Sequence, residues 1–433
     1  MRAPSARRRR AVATACAVGA AIVLSPAAAT AAVPGIEDGR WYYEATGLSE
    51  LHQRTTGEGV TVAVLDGRVN TAVAELAGAD VQPHEPSYCA AEEGGTAYPA
   101  TTTEPDGEHA TSIATMLVGQ DAGIGGEPGI PGVAPGVTLR TYAIYVDGSP
   151  CETPADQESL QSDALLDAVA DGADIIAVPG NNKFAASAVA EALRAGVIIV
   201  AAGGNDGVLT AFPASYNGVL AVGTVTPDAT LAEGSPYGDK LGAVAPGALI
   251  RELLPTWDSY ARTTGSSNAT AYTAGALALL WSLNPGATGN QIMQAMIHTT
   301  DGVVAEEPAH DPQWGYGTVN VRTLLSVDPA SYPDENPFLR DDGDPTKAEV
   351  LGTTAGDPSD PPAEEPQTSE DVGTAQPEDA EASGLPTAAL VGGLVALIVI
   401  AGVVVAIVIS RRRAARTDVH DAAPPTYARG NHG

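Results

Sequence analysis

The middle of the chain alternates short apolar runs with longer runs of helical spacing, and that alternation leaves few folds open. Residues 137–145, 175–178 and 197–201 read as strands, and residues 157–170 and 185–194 as helices between them. Residues 219–222 and 241–244 are further strands, and a closing helix over 289–299 follows the turn Asn284-Pro285-Gly286. Strands alternating with helices predict a parallel sheet covered on both faces. An earlier run, Val62-Ala63-Val64-Leu65, is apolar throughout, as a strand buried on both faces would be.

Three segments stand out at the ends of these elements. Asp66 closes the strand over 62–65. His109 opens an apolar helical run over 109–118. Ser267, in Gly265-Ser266-Ser267, precedes a helical run over 269–281. Ligands of open α/β sheets bind outside the carboxyl ends of strands and near helix N-termini, so all three side chains point to one edge. Together they can activate a hydroxyl. Serine holds its proton at neutral pH, an imidazole can remove it, and a buried carboxylate fixes the imidazole tautomer. His109 would be the base, Asp66 its orienter and Ser267 the nucleophile. An oxyanion would need donors, and losing one costs about 2.7–4 kcal/mol. The Ser267 backbone N–H and the amide of Asn205, after the strand over 197–201, are the candidates.

The order Asp–His–Ser is that of subtilisin. Residues 41–327 resemble the subtilisin-like serine proteases (subtilases, peptidase family S8). Further matches are Gly132-Val133-Ala134-Pro135-Gly136, Gly172-Ala173-Asp174-Ile175-Ile176, Phe212-Pro213-Ala214-Ser215-Tyr216 and Gly315-Tyr316-Gly317. Within that family the chain is most similar to the mycosins, membrane-anchored proteases of type VII secretion systems. Like them it carries a Tyr, Tyr272, where most subtilases have a His. The resemblance implies a three-layer subtilisin-like α/β fold with a mostly parallel central sheet. It also implies a serine endopeptidase working through an acyl-enzyme, with no cofactor.

The pattern departs from the family at several positions. Gly67 and Arg68 follow Asp66 where subtilases usually have Thr or Ser and then Gly, so a supporting hydroxyl is missing and Arg68 is free to pair with Asp66. Ala177-Val178-Pro179-Gly180 replaces a Ser-Xaa-Gly that pairs with substrate backbone, and Pro179 has no N–H to offer. Ala271 replaces a Pro, and Asp106-Gly107-Glu108 precedes His109 in place of His-Gly-Thr. These changes predict narrow or altered substrate preference.

The chain ends add a location. Residues 1–32 read as a secretory signal: Arg2 and Arg7 to Arg10, an apolar stretch, then Ala29-Thr30-Ala31. Residues 33–58 form an N-terminal extension, too short for a separate inhibitory prodomain, with Trp41, Tyr42 and Tyr43 as anchors. The protease domain is expected over 59–327. Residues 328–386 are rich in Asp, Glu, Pro, Thr and Gly and are expected to form an extended linker. Residues 387–409 carry no charge and make about 34 Å of helix at ~1.5 Å per residue, enough for one transmembrane helix. Arg411, Arg412, Arg413 and Arg416 follow, which keeps the tail over 410–433 cytoplasmic and the bulk of the chain extracytoplasmic. A single-pass type I protein of the cell membrane is the expected result. Cys16 leaves with the signal, and Cys89 and Cys151 remain as a pair in an oxidising compartment, expected to form one disulfide.

The formal net charge of −31 argues against nucleic acid and anionic lipid head groups as ligands. His52, His84, His298 and His310 show no metal-ligand spacing, and no metal is expected. The expected partners are a protein or peptide substrate and a type VII secretion membrane complex. The alternative expectation is a subtilase-fold scaffold that stabilises such a complex, with weak or dispensable proteolysis.

Overall fold

A computed structural model describes residues 33–353, apart from residues 93, 148–150 and 152–156. The expected signal, most of the acidic segment, the apolar run over 387–409 and the tail lie outside the described residues. Among the described residues, no helix is long and apolar enough to cross a membrane.

Two short helices come first, α1 (Trp41–Glu44) and α2 (Leu48–Leu51). Then follow β1 (Thr61–Asp66), β2 (Val81–Pro83), α3 (Glu108–Val118), β3 (Thr138–Ala143), α4 (Gln157–Ala170) and β4 (Ile175–Val178). Next are α5 (Ala186–Arg194), β5 (Ile198–Ala202), β6 (Leu220–Val225) and β7 (Leu241–Pro246). A hairpin of β8 (Ile250–Leu253) and β9 (Tyr260–Thr263) leads into α6 (Ser266–Leu283), α7 (Gly289–Ile297), α8 (Val321–Leu324) and α9 (Lys347–Leu351).

The central sheet has the order β2-β3-β1-β4-β5-β6-β7, with every neighbouring pair parallel. Side chains alternate across it, and those of its central strands divide between two cores, while Val225, Leu241 and Val244 of β6 and β7 form a smaller third cluster. Val62, Val64, Ile175, Ala177, Ile198 and Val200 enter the core shared with α3, α6 and α7. Ala63, Leu65, Ile176, Val178, Ile199 and Ala201 enter the core shared with α4 and α5. This is the three-layer α/β architecture that the alternating sequence predicts. The helix α6 is apolar around most of its circumference because it lies between the sheet and α3, α7 and α8. The hairpin β8–β9 has no counterpart in the sequence reading.

The N-terminal extension is held by its aromatic residues. The Trp41 indole N–H donates to Ala248 O at 2.8 Å, and the Tyr42 hydroxyl donates to Pro131 O at 2.7 Å, both in buried surroundings. Tyr43 is only partly buried and packs at the edge of the core.

The folded unit also runs past residue 327, where the sequence reading begins the linker. Phe338 is buried in the first core and Val350 in the second. Asn217 clamps the segment, donating from Nδ2 to Arg340 O at 2.9 Å and Pro345 O at 3.0 Å and accepting from Arg340 N at 2.7 Å. A capping box between Thr346 and Glu349 starts α9 against α5. Few apolar residues suffice here because Asn217 satisfies the backbone, so the composition alone misplaces this boundary.

Candidate active site

Asp66 is the last residue of β1, a central strand flanked in parallel by β3 and β4. It is 1 % exposed. Its carboxylate accepts from Gly67 N at 2.8 Å and from the Tyr145 hydroxyl. His109 Nδ1 lies 2.8 Å from Asp66 Oδ2 and 3.0 Å from Oδ1. The start of α3 is tied to the loop after β1: Thr111 Oγ1 donates to Gly107 O at 2.6 Å and accepts from Asn70 N at 2.8 Å. That anchor sets His109, the second residue of α3, against Asp66 and leaves its side chain 44 % exposed.

Arg68 does not pair with Asp66. Its guanidinium reaches Asp106 at 2.9 Å, Pro99 O at 3.1 Å and Thr101 O at 3.0 Å. The Asp66 oxygens are already occupied by three donors, and the planar fork of Arg68 finds a carboxylate and two carbonyls on the loop leading to α3.

Ser267 lies in the first turn of α6, where backbone N–H groups have no partner within the helix. Asn205 follows β5, and its Oδ1 accepts from Ser266 N at 2.8 Å. That bond fixes which end of the amide is which and leaves Nδ2 as the outward donor. Gly265 caps α6 in an extended conformation, φ −174°. A methyl group on its Cα would lie 3.0 Å from Ser267 Oγ and 3.7 Å from Asn205 Nδ2. The fold therefore brings Asp66 to His109 and Ser267 to Asn205, both pairs at the carboxyl edge of the sheet. Pro179 follows β4, the strand between β1 and β5, on the same edge.

Residues 57–317 match the model of the subtilase family, peptidase S8. The chain belongs to the subtilase family. Subtilisin NAT of Bacillus subtilis subsp. natto is 29 % identical over 282 residues, which cover 63 % of this chain and 67 % of that protein. Among solved structures, the prenylagaramide maturation protease PagA aligns with a TM-score of 0.52 at 26 % identity, covering 65 % of this chain and 98 % of PagA. MycP1 from Mycobacterium smegmatis aligns with a TM-score of 0.53 at 21 % identity, covering 69 % of this chain and 86 % of MycP1, a likeness of fold. A second MycP1 structure, described as coming from the ESX-1 type VII secretion system, aligns equally well, with a TM-score of 0.53.

The electrostatics of this subtilase centre on His109. The Asp66 carboxylate pushes the imidazole pKa up to about 9, against the opposing effect of burial and with smaller help from Glu252 and Glu108. Burial pushes Asp66 itself up, but the His109 charge and the hydrogen bonds from His109, Tyr145 and Gly67 outweigh it and hold the carboxyl below its ordinary value. Burial, the Glu252 carboxylate and Asp147 raise the Glu108 pKa, with His109 opposing. These acids line a cavity of about 340 Å³ beside His109. A second cavity of about 250 Å³ lies between Pro179, Gly180, Gly204, Asn205 and Ser266, with Asp206 among its lining residues.

Cys89 and Cys151 are joined in a disulfide with Cα atoms 4.7 Å apart. The bridge holds the loop after β2 to the segment after β3, where Tyr88 N also donates to Ala143 O at 2.9 Å. Three of the remaining histidines face backbone carbonyls: His52 that of Val133, His298 that of Ala305 and His310 that of Leu241. His84 stacks between Tyr88 and Tyr142. Among the described residues, no group of three or more His, Cys, Asp or Glu is arranged to hold a metal.

The sequence reading overlooked Tyr145 and Glu252. Tyr145 comes two residues after β3, whose register sets Ala143 beside Asp66, so strand order would have flagged it. Glu252 sits in the hairpin that the reading missed.

Proposed function

We infer that the chain, a member of the subtilase family, works as a subtilisin-type serine endopeptidase. We propose that it cleaves peptide bonds through an acyl-enzyme at Ser267, with His109 as base and then acid and Asp66 as orienter. The His109 Nδ1 to Asp66 bond carries this reading, because it leaves Nε2 as the nitrogen that serves the nucleophile. Ser267 Oγ attacks the substrate carbonyl as its proton passes to His109 Nε2. The oxyanion accepts from Asn205 Nδ2 and the Ser267 backbone N–H. Collapse expels the amine, which takes the proton from His109, and water then attacks the ester by the same route in reverse. The cavity between Pro179, Asn205 and Ser266 takes the side chain next to the cleaved bond. Cleavage of a peptide library by the parent, lost in Ser267→Ala and reduced about 10²–10³-fold in Asn205→Ala, is the expected result. Equal cleavage by the parent and Ser267→Ala overturns it.

We further propose that the enzyme is anchored by residues 387–409 with its protease domain extracytoplasmic, and that it serves a type VII secretion system. Support comes from the charge-free run followed by arginines and from the fold shared with MycP1. The expected signal over 1–32, the extension over 33–58 and the acidic spacer before the anchor complete this domain plan. Protease added outside intact cells is expected to remove the domain, and Ser267→Ala is expected to block processing of an exported protein. Pro179 favours a second reading, a scaffold with weak proteolysis, because it denies a substrate strand one backbone donor. Intact secretion in Ser267→Ala, with loss of secretion on deletion of the chain, would select that second reading.

A further inference from the structure

Asp66 depends on a group that lies outside the Asp–His–Ser set. We propose that the Tyr145 phenol is the positioning donor that holds the Asp66 carboxylate against His109, in a slot that exists because residue 67 is glycine. The proposal rests on the catalytic reading of Asp66 and His109 above and extends it to how the pair is held.

The chain path delivers Tyr145 to this place. β3 runs parallel to β1 with Ala143 opposite Asp66, and Ile144 N donates to Asp66 O at 2.8 Å. The next residue, Tyr145, donates its hydroxyl to Asp66 Oδ1, with the oxygen 3.4 Å from His109 Nδ1. A buried carboxylate needs donors on both oxygens, and here they are Gly67 N–H, His109 and Tyr145. Burial and the adjacent Asp66 charge push the phenol pKa far above its ordinary value, so it stays protonated and can only donate to the carboxylate.

Gly67 makes the room. A Cβ at residue 67 would stand 3.2 Å from Tyr145 Cε2, 3.3 Å from Cζ and 3.5 Å from the hydroxyl oxygen. A serine or threonine there would bring its own hydroxyl towards Asp66 but would press on the tyrosine ring. The two positions are thus alternatives: a hydroxyl on the residue after Asp66, or glycine there and a phenol arriving from β3. The groups facing His109 are Asp66 from β1, Glu108 on its own helix, Glu252 from β8 and the Tyr145 phenol, with Asp147 nearby and Asp106 paired to Arg68. Apart from that ion pair the surroundings are acidic, and the phenol is the neutral side-chain donor that tempers Asp66 within them.

The test uses the full-length chain labelled with ¹³C at histidine Cε1, with the His109 signal assigned by its loss in His109→Ala. Tyr145→Phe keeps the ring in its slot and removes only the donor. The His109 titration midpoint is expected to move upward, because a carboxylate with one neutral donor fewer holds the imidazolium more tightly. In peptide hydrolysis kcat is expected to fall about tenfold at unchanged KM. Gly67→Ser and Tyr145→Leu should each lower kcat, and Gly67→Ser/Tyr145→Leu should exceed both, since the serine hydroxyl then has both room and a vacancy. An unmoved His109 midpoint in Tyr145→Phe overturns the proposal, as do additive losses in the double variant. Absence of turnover in the parent would count against the proteolytic reading alone, because the titration still decides the role of Tyr145.

Discussion

His109 Nδ1 faces both oxygens of Asp66, at 2.8 and 3.0 Å, with Asp66 buried and the histidine ring open on its other side. A carboxylate held this way raises the basicity of the imidazole and fixes its direction. Ser267, beside the Asn205 amide, lies at the same sheet edge.

The space between Ser267 and Asn205 can be filled without disturbing the backbone. Gly265 has φ −174°, an extended conformation that any residue adopts. Gly265→Ala is therefore expected to fold with an unfolding midpoint close to that of the parent. The added methyl would stand where the oxyanion must sit, so kcat/KM should drop roughly a hundredfold or more. Thermal unfolding and peptide hydrolysis measured side by side check this. An active Gly265→Ala would mean the oxyanion lies elsewhere.

Activity should rise with pH through an alkaline limb. His109 must be neutral to accept the serine proton, and its pKa in the free enzyme is pushed up to about 9 from 6.5. A kcat/KM profile with its rising limb near neutrality or below would contradict this. Glu252→Gln removes one raising charge and should shift the limb downward. The stability linkage has the opposite sign for the two partners. The contribution of His109 is full below 6.5 and is lost as pH rises through about 9. That of Asp66 is present above its ordinary 3.8 and is lost as pH falls through the lower folded value.

The disulfide closes a loop with a sequence separation of 62. Cys89→Ala/Cys151→Ala is expected to lose about 2–4 kcal/mol in urea unfolding. The bridged segment also leads out of Tyr145, so kcat should fall in the same variant. Unchanged stability would mean that the loop is held by its other contacts, such as Tyr88 to Ala143.

How far the sequence could be read follows from which contacts are local. Asp66, His109, Ser267 and Asn205 each sit at the end of an apolar run whose period shows in the sequence, so strands, helices and the edge they share were legible. Tyr145 and Gly67 were not, because their contact depends on β3 lying next to β1. Arg68 was misread for a related reason: its partner Asp106 is 38 residues away on a loop without periodicity. The segment over 328–352 looked like linker by composition, yet Asn217 satisfies its backbone from across the fold.

Trp41 tests whether the N-terminal extension belongs to the folded unit. The indole is 4 % exposed and bonded to Ala248 O. Trp41→Ala should cost about 3–5 kcal/mol, read as a shift in the denaturant midpoint at constant slope. A shift below about 1 kcal/mol, the level of a surface substitution, would place the extension outside the cooperative unit.

The most direct measurement is covalent labelling of the full-length chain with a fluorophosphonate, compared with Ser267→Ala and His109→Ala. One label per chain is expected, on Ser267, absent in Ser267→Ala and strongly slowed in His109→Ala. A folded, disulfide-bonded chain that takes no label, or takes it equally in Ser267→Ala, would contradict the assignment of Ser267, His109 and Asp66 as one catalytic unit.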